Sequence, residues 1–137
     1  MSIAGQGLAS YRRTQVQSRT PLELVVMLYD GALQSLSTAR DAVERKNIPA
    51  RRDAISRALA IISELQSTLN LEEGGAVAAS LDELYEFASH RLLDAAMKND
   101  VTPIDEVSRL FSTLRNAWQT IATAPAAPAV QGAGQRA

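Results

Sequence analysis

The chain has no cysteine, so disulfides, a thiol nucleophile and a cysteine-based metal site are all excluded. It has one histidine, His90. A metal site in a helical protein needs several histidines or inward carboxylates at i, i+3 or i, i+4 spacing, and the acids here fall on outward faces. A Ser-His-Asp arrangement would have to use the same His90, with no strained nucleophile turn near it. The Gly74-Gly75 pair lacks the Lys-Ser/Thr that follows a phosphate-cradling loop. No catalytic group, metal or cofactor is therefore expected. Charge of one sign is missing too: 14 basic and 15 acidic side chains are interspersed for a net charge of −1, which gives no basic stripe for nucleic acid. No apolar run approaches the roughly 20 residues of a membrane span. Met1 to Gly7 lacks the basic start and apolar run of a secretory signal. A soluble cytoplasmic protein without membrane insertion is expected.

Aromatics make up only 4 % of the chain, whereas hydrophobic residues reach 46 %, with Ala and Leu dominant; this is enough for one domain with a real core. The most informative stretch runs from Thr20 to Leu33. Thr20 is suited to cap a helix, Pro21 to fill its first position and Glu23 to complete a capping box. The helix is predicted to run to about Lys46, where Asn47-Ile48-Pro49 stops it. At 100° per residue, Leu22, Val25, Val26, Tyr29, Ala32, Leu33, Leu36 and Val43 form a broad core stripe. Glu23, Asp30, Gln34, Ser37 and Asp41 form a solvent side. A third group lies roughly opposite the core: Leu24, Met27 and Leu28, then Gly31, Ser35 and Thr38. Gly31 inside a helix costs about 0.8–1 kcal/mol relative to Ala. A helix with this cost and with apolar residues on two faces is expected to be covered twice, either by the chain's own N-terminal arm or by a partner.

Residues 1–19 read as that arm, polar with apolar points at Ile3, Leu8, Tyr11 and Val16. Leu8 and Tyr11 meet on one side of a helical turn too short to be stable alone. A frayed terminus and a docked cap are both compatible with the residues. A second helix is predicted from about Ala50 to Leu69, with Ile55, Ala58, Leu59, Ile62, Leu65 and Leu69 inward, Ile61 at the edge, and Arg51, Arg52, Asp53, Arg57 and Glu64 in water. Asn70 to Gly75 reads as a connection broken by the paired glycines. A third helix follows from Gly75 or Ala76 to about Asn99, with Val77, Leu81, Leu84, Tyr85, Ala88, Leu92 and Ala95 on one face. Thr102-Pro103-Ile104-Asp105 repeats the cap-then-proline start. The fourth helix runs to about Thr123, with Ile104, Val107, Phe111, Leu114, Trp118 and Ile121 inward. Residues 124–137, mostly Ala, Pro, Gly and Gln, cannot bury a core and are expected to be disordered. The expected fold is all-α: an antiparallel up-down four-helix bundle over 20–123, with a short N-terminal arm or cap helix and a disordered C-terminal tail.

His90 falls on the solvent side of the third helix. A phosphotransfer bundle would carry a lysine a turn later, and His90-Arg91-Leu92-Leu93-Asp94 has none, so an ordinary surface histidine is the better reading. Tyr85 and Trp118 are expected in the core with their polar tips at its edge.

Pro21-x-Glu23-Leu24-Val25-x-Met27-Leu28-Tyr29-Asp30-Gly31-Ala32-Leu33 resembles the opening helix motif of the flagellin export chaperones, the FliS family. The likeness continues through Ile61-Ile62-Ser63-Glu64-Leu65, Leu81-x-x-Leu84-Tyr85, Arg91-Leu92-Leu93-x-Ala95 and Trp118. Leu8 to Tyr11 fits an early apolar-x-x-Tyr. His90 departs from the family pattern, where an arginine or similar polar residue is common, and so does the Ala/Pro tail.

The resemblance implies a cytoplasmic, non-enzymatic bundle that binds the C-terminal segment of newly made flagellin, prevents premature polymerisation and presents the complex to a component of the flagellar type III export gate. The flagellin-binding residues expected on this basis are Leu24, Met27, Leu28, Gly31, Ser35 and Ile61, with Leu8 and Tyr11 as an arm that flagellin displaces. A bulky residue at Gly31 is then expected to weaken binding and leave helicity intact. A weak homodimer is left open. The alternative readings are an adaptor bundle for another secreted protein and, less favoured, a histidine phosphotransfer domain on His90.

Overall fold

A computed structural model describes residues 19–124. Leu8, Tyr11 and the rest of the expected arm, and nearly all of the expected tail, lie outside the described residues. Four helices follow one another: α1 (Pro21–Glu44), α2 (Ile48–Ser67), α3 (Leu71–Met97) and α4 (Thr102–Thr123). Each packs on the next in the chain, and α4 returns to pack on α1, so the four form a closed antiparallel ring. No strand occurs among the described residues.

Local chemistry sets the helix ends. Thr20 and Glu23 form the expected capping box: the Glu23 amide donates to Thr20 Oγ1 at 3.2 Å, and the Thr20 amide donates to Glu23 Oε1 at 2.9 Å. The turn after α1 passes through Lys46 at φ 58, and Asn47 then caps α2 by accepting the Ala50 amide. Pro49 therefore lies within the first turn of α2, and that helix begins two residues earlier than its expected start near Ala50. Asn70 caps α3 through the Glu73 amide, so the stretch expected to be a bare connection holds one helical turn. That turn ends at Gly75, whose φ 55 and ψ −133 interrupt the helix in a region open only to glycine. The start of α4 also differs from expectation. Thr102 is its first residue rather than its cap, Val101 offers no side-chain cap, and Asp100 Oδ1 accepts the Thr102 amide at 2.9 Å instead.

The core is a ladder of aliphatic and small residues from all four helices, among them Leu36, Ala39, Ile55, Ile62, Leu92, Ile104 and Val107. At one level it is aromatic: Phe111 lies 5.1 Å from Tyr29 and 6.2 Å from Tyr85, ring centre to ring centre. Ion pairs tie the outer seams, with Arg40 to Asp105 (α1 to α4), Arg91 to Glu106 (α3 to α4) and Arg115 to Asp30 (α4 to α1).

Several residues depart from the expected helical faces, Arg51, Val77 and Ile121 most clearly. Arg51, expected in water, is buried, because its long side chain folds over the end of α3 and donates to the Ala96 carbonyl at 3.2 Å and to Asn99 Oδ1 at 3.1 Å. Val77 and Ile121, expected inside, are 69 % and 53 % exposed. Both lie towards the same end of the bundle, where the core is incomplete.

Candidate functional site

In an antiparallel bundle, α1 and α3 begin where α2 and α4 end. At that end the helices part and leave an open cleft of about 460 Å³. Pro21, Leu22, Leu24, Val25 and Leu28 of α1 form one wall. Leu69 and Asn70 close the side between α2 and α3, and Gly74, Val77, Ala78 and Leu81 form the opposite wall. Tyr85 and Trp118 also line it. Two features keep it from filling. A Cβ on Gly74 would lie 2.6 Å from Ala78 Cβ, so the first turn of α3 folds tightly against the next one. The break at Gly75 also resets the phase of the helix, turning the small Ala78 inward and leaving Val77 at the rim.

Beneath the cleft the Tyr29 and Tyr85 hydroxyls meet at 2.7 Å, both buried. Burial pushes the Tyr29 phenol up from its ordinary range, and the Tyr85 hydroxyl and the Trp118 indole offset part of this. Burial pushes Tyr85 up further, assisted by Tyr29. Both stay neutral near pH 7, so the floor of the cleft is uncharged. Such a site offers apolar contact and shape; it has no titrating group suited to chemistry.

The expected site residues separate. Leu24 and Leu28 line the cleft. Leu22 and Val25, expected in the core, line it with them, as do Val77 and Trp118. Excess apolar residues at the start of α1 signalled the α1 wall; the α3 wall had no comparable signal. Met27 is half-buried and does not line the cleft. Gly31 and Ser35 do not line the cleft. A Cβ on Gly31 would lie 3.3 Å from Ile61 Cδ1, and Ser35 is 6 % exposed. At Gly31 this face of α1 is thus met by α2, while Leu24 and Leu28 nearer its start stay open to the cleft. Ile61 is half-buried in the same seam. His90 is exposed. Among the described residues no cluster of three or more His, Cys, Asp or Glu side chains has metal-binding geometry, and no helix is long and apolar enough to cross a membrane.

Known proteins give the class. A family profile described as "Flagellar protein FliS" matches residues 4–125. The chain is 39 % identical over 107 residues to the flagellar secretion chaperone FliSB of Pseudomonas aeruginosa, covering 78 % of this chain and 85 % of that one. It is 38 % identical over 120 residues to the flagellar secretion chaperone FliS of Salmonella typhimurium, covering 84 % and 89 %. A solved structure titled "Crystal structure of flagellar chaperone from bacteria" superposes with a TM-score of 0.70 at 15 % identity, over 86 % of this chain and 96 % of that one, and supports the fold. A four-helix bundle with an apolar end cleft and relatives of this kind is a flagellar export chaperone. The chain belongs to the FliS family.

Proposed function

We propose that the chain acts in the cytoplasm on flagellin, and that the end cleft holds part of the disordered C-terminal segment of flagellin. The observation that carries this reading is an open apolar cleft in a secretion chaperone, with Val77 on its wall 69 % exposed. Apolar surface left unfilled by the fold itself suits a helix-in-groove partner that brings its own apolar anchors. Leu24 and Leu28 are its central contacts, with Met27, Gly31 and Ile61 supporting the wall from the α1–α2 seam. Ser35 is enclosed and acts only through packing. Covering flagellin's segment in this way blocks its premature polymerisation.

Pro21 lines the cleft, so the segment bearing Leu8 and Tyr11 joins the bundle at the cleft's rim. In our reading that segment covers the cleft in the free protein and is displaced by flagellin. The freed arm is then available to an export gate component. The role is binding, with no catalytic step.

Titration calorimetry of the full chain with the C-terminal segment of its organism's flagellin tests this reading. One-to-one binding with a large negative heat-capacity change is expected, as coupled folding onto apolar surface requires. Absence of binding would contradict it and move the assignment to another secreted client.

A further inference from the structure

At the other end of the bundle α2 begins and α3 ends, and they leave a second groove of about 410 Å³. Leu59, Leu93 and Met97 give it an apolar row; Met97 is 83 % and Leu93 49 % exposed. Arg51 and Arg52 line it as well, and no Asp or Glu does. Arg51 and Arg52 meet no carboxylate among the described residues, as is also true of Arg19, Lys46, Lys98 and Arg109; what distinguishes them is that they stand together in one groove beside an apolar row. Arg51 is 6 % exposed and spends its terminal nitrogens on Asn99 and the Ala96 carbonyl, which leaves its buried Nε–H without an acceptor. A buried donor without a partner is costly, so a shift of the Arg51 side chain that brings this N–H to an acceptor in the groove it lines is favoured. The N-terminus of α2 adds positive potential on the same side.

We propose that this groove is a second docking site, which takes an acidic amphipathic helix of a partner protein. The two flanking helices present Leu59 on one side and Leu93 and Met97, four residues apart, on the other. That spacing suits a helix with an i, i+3, i+4 apolar row. Carboxylates beside the row meet Arg52 and the guanidinium of Arg51. The chain's own remaining segments do not suit it, since residues 1–18 and 125–137 contain no Asp or Glu and do contain Arg12, Arg13 and Arg136. Along α3 the nearest lining residues of the two sites, Tyr85 and Leu93, lie roughly 12 Å apart at about 1.5 Å per residue, and the sites share no lining residue. Both sites therefore accept ligand at once, and this proposal stands whether or not flagellin occupies the cleft.

The test uses the full-length ¹⁵N-labelled chain and two stapled helical peptides with the same leucine row, one flanked by glutamates and one by lysines. The glutamate peptide is expected to shift amide signals at the start of α2 and the end of α3, equally with and without the flagellin C-terminal segment present. The lysine peptide is expected to bind about tenfold more weakly. Arg52→Glu, at an exposed position, should weaken the glutamate peptide about five- to tenfold, since one attraction is lost and one repulsion gained. Equal binding of both peptides, shifts centred on the end cleft, competition with the flagellin segment, or no shifts at all would each overturn the proposal. Concentration-dependent shifts at this groove without peptide would overturn it in favour of a second copy of the chain.

Discussion

The Tyr29 and Tyr85 hydroxyls meet at 2.7 Å in the core, 56 residues apart in the chain, and join α1 to α3 across the bundle directly beneath the end cleft. Tyr29→Phe leaves the buried Tyr85 hydroxyl without its partner, and Tyr85→Phe leaves Tyr29 with only the Trp118 indole. Tyr85→Phe and Tyr29→Phe should each cost about 1–2 kcal/mol in urea unfolding. The double variant should cost less than their sum, because both partners leave together.

The same pair predicts alkaline behaviour. Burial raises both phenol pKa values in the folded state, Tyr85 more than Tyr29. The folded state therefore holds these protons more tightly than the unfolded chain. Its stability is unaffected below the ordinary phenol range and falls as pH rises from there towards the folded-state values. Absorbance at 295 nm should show that Tyr29 and Tyr85 ionise only together with loss of helical ellipticity, not before it.

Gly31 carries a packing prediction. A Cβ there meets only Ile61 Cδ1, at 3.3 Å, the free end of a half-buried side chain. Gly31→Ala should gain most of the roughly 0.8–1 kcal/mol helix-propensity difference, as that methyl turns aside. Gly31→Leu should force α1 and α2 apart and cost about 1–3 kcal/mol. Denaturant midpoints of the two variants on opposite sides of the wild type would bear this out. Its first effect is on the fold, in contrast to the expectation that a bulky residue here acts on binding alone.

Asp100 supplies the acceptor that Val101 lacks at the start of α4. The Thr102 backbone amide and then its hydroxyl, ahead of more distant charges, hold the Asp100 carboxyl below its usual range. A depressed folded-state pKa gives stability that is complete above the unfolded value and is lost as pH falls through the folded one. Asp100→Ala should therefore lower the melting temperature at pH 7, and the two proteins should converge in acid.

The sequence made the bundle legible because its signals are local. Thr20 with Glu23 and the apolar stripes of α1 to α4 each act within a few residues. Gly75 was readable as a break for the same reason. Arg51 was not, since its burial depends on the end of α3, distant in the chain and reached only by a long side chain. Val77 and Ile121 followed the helical period but met no neighbour, because periodicity reports which way a residue points and not whether anything lies there. The cleft is thus the place where the period overstates the core. The small face of α1 was legible as one that lets a neighbour come close, but the sequence could not say that at Gly31 the neighbour is α2.

The central claim is that the end cleft receives flagellin's C-terminal segment. Trp118, the chain's one tryptophan, lines that cleft, and Val77 stands on its wall largely outside the core. The most direct measurement is Trp118 fluorescence during titration with a tryptophan-free flagellin C-terminal segment, for the wild type and for Val77→Glu. A saturable blue shift is expected in the wild type. In Val77→Glu, with its melting temperature unchanged, affinity should fall about tenfold or more, as a charge placed against an apolar partner requires. A segment that binds both proteins equally, or that leaves the Trp118 emission unmoved, would contradict the claim.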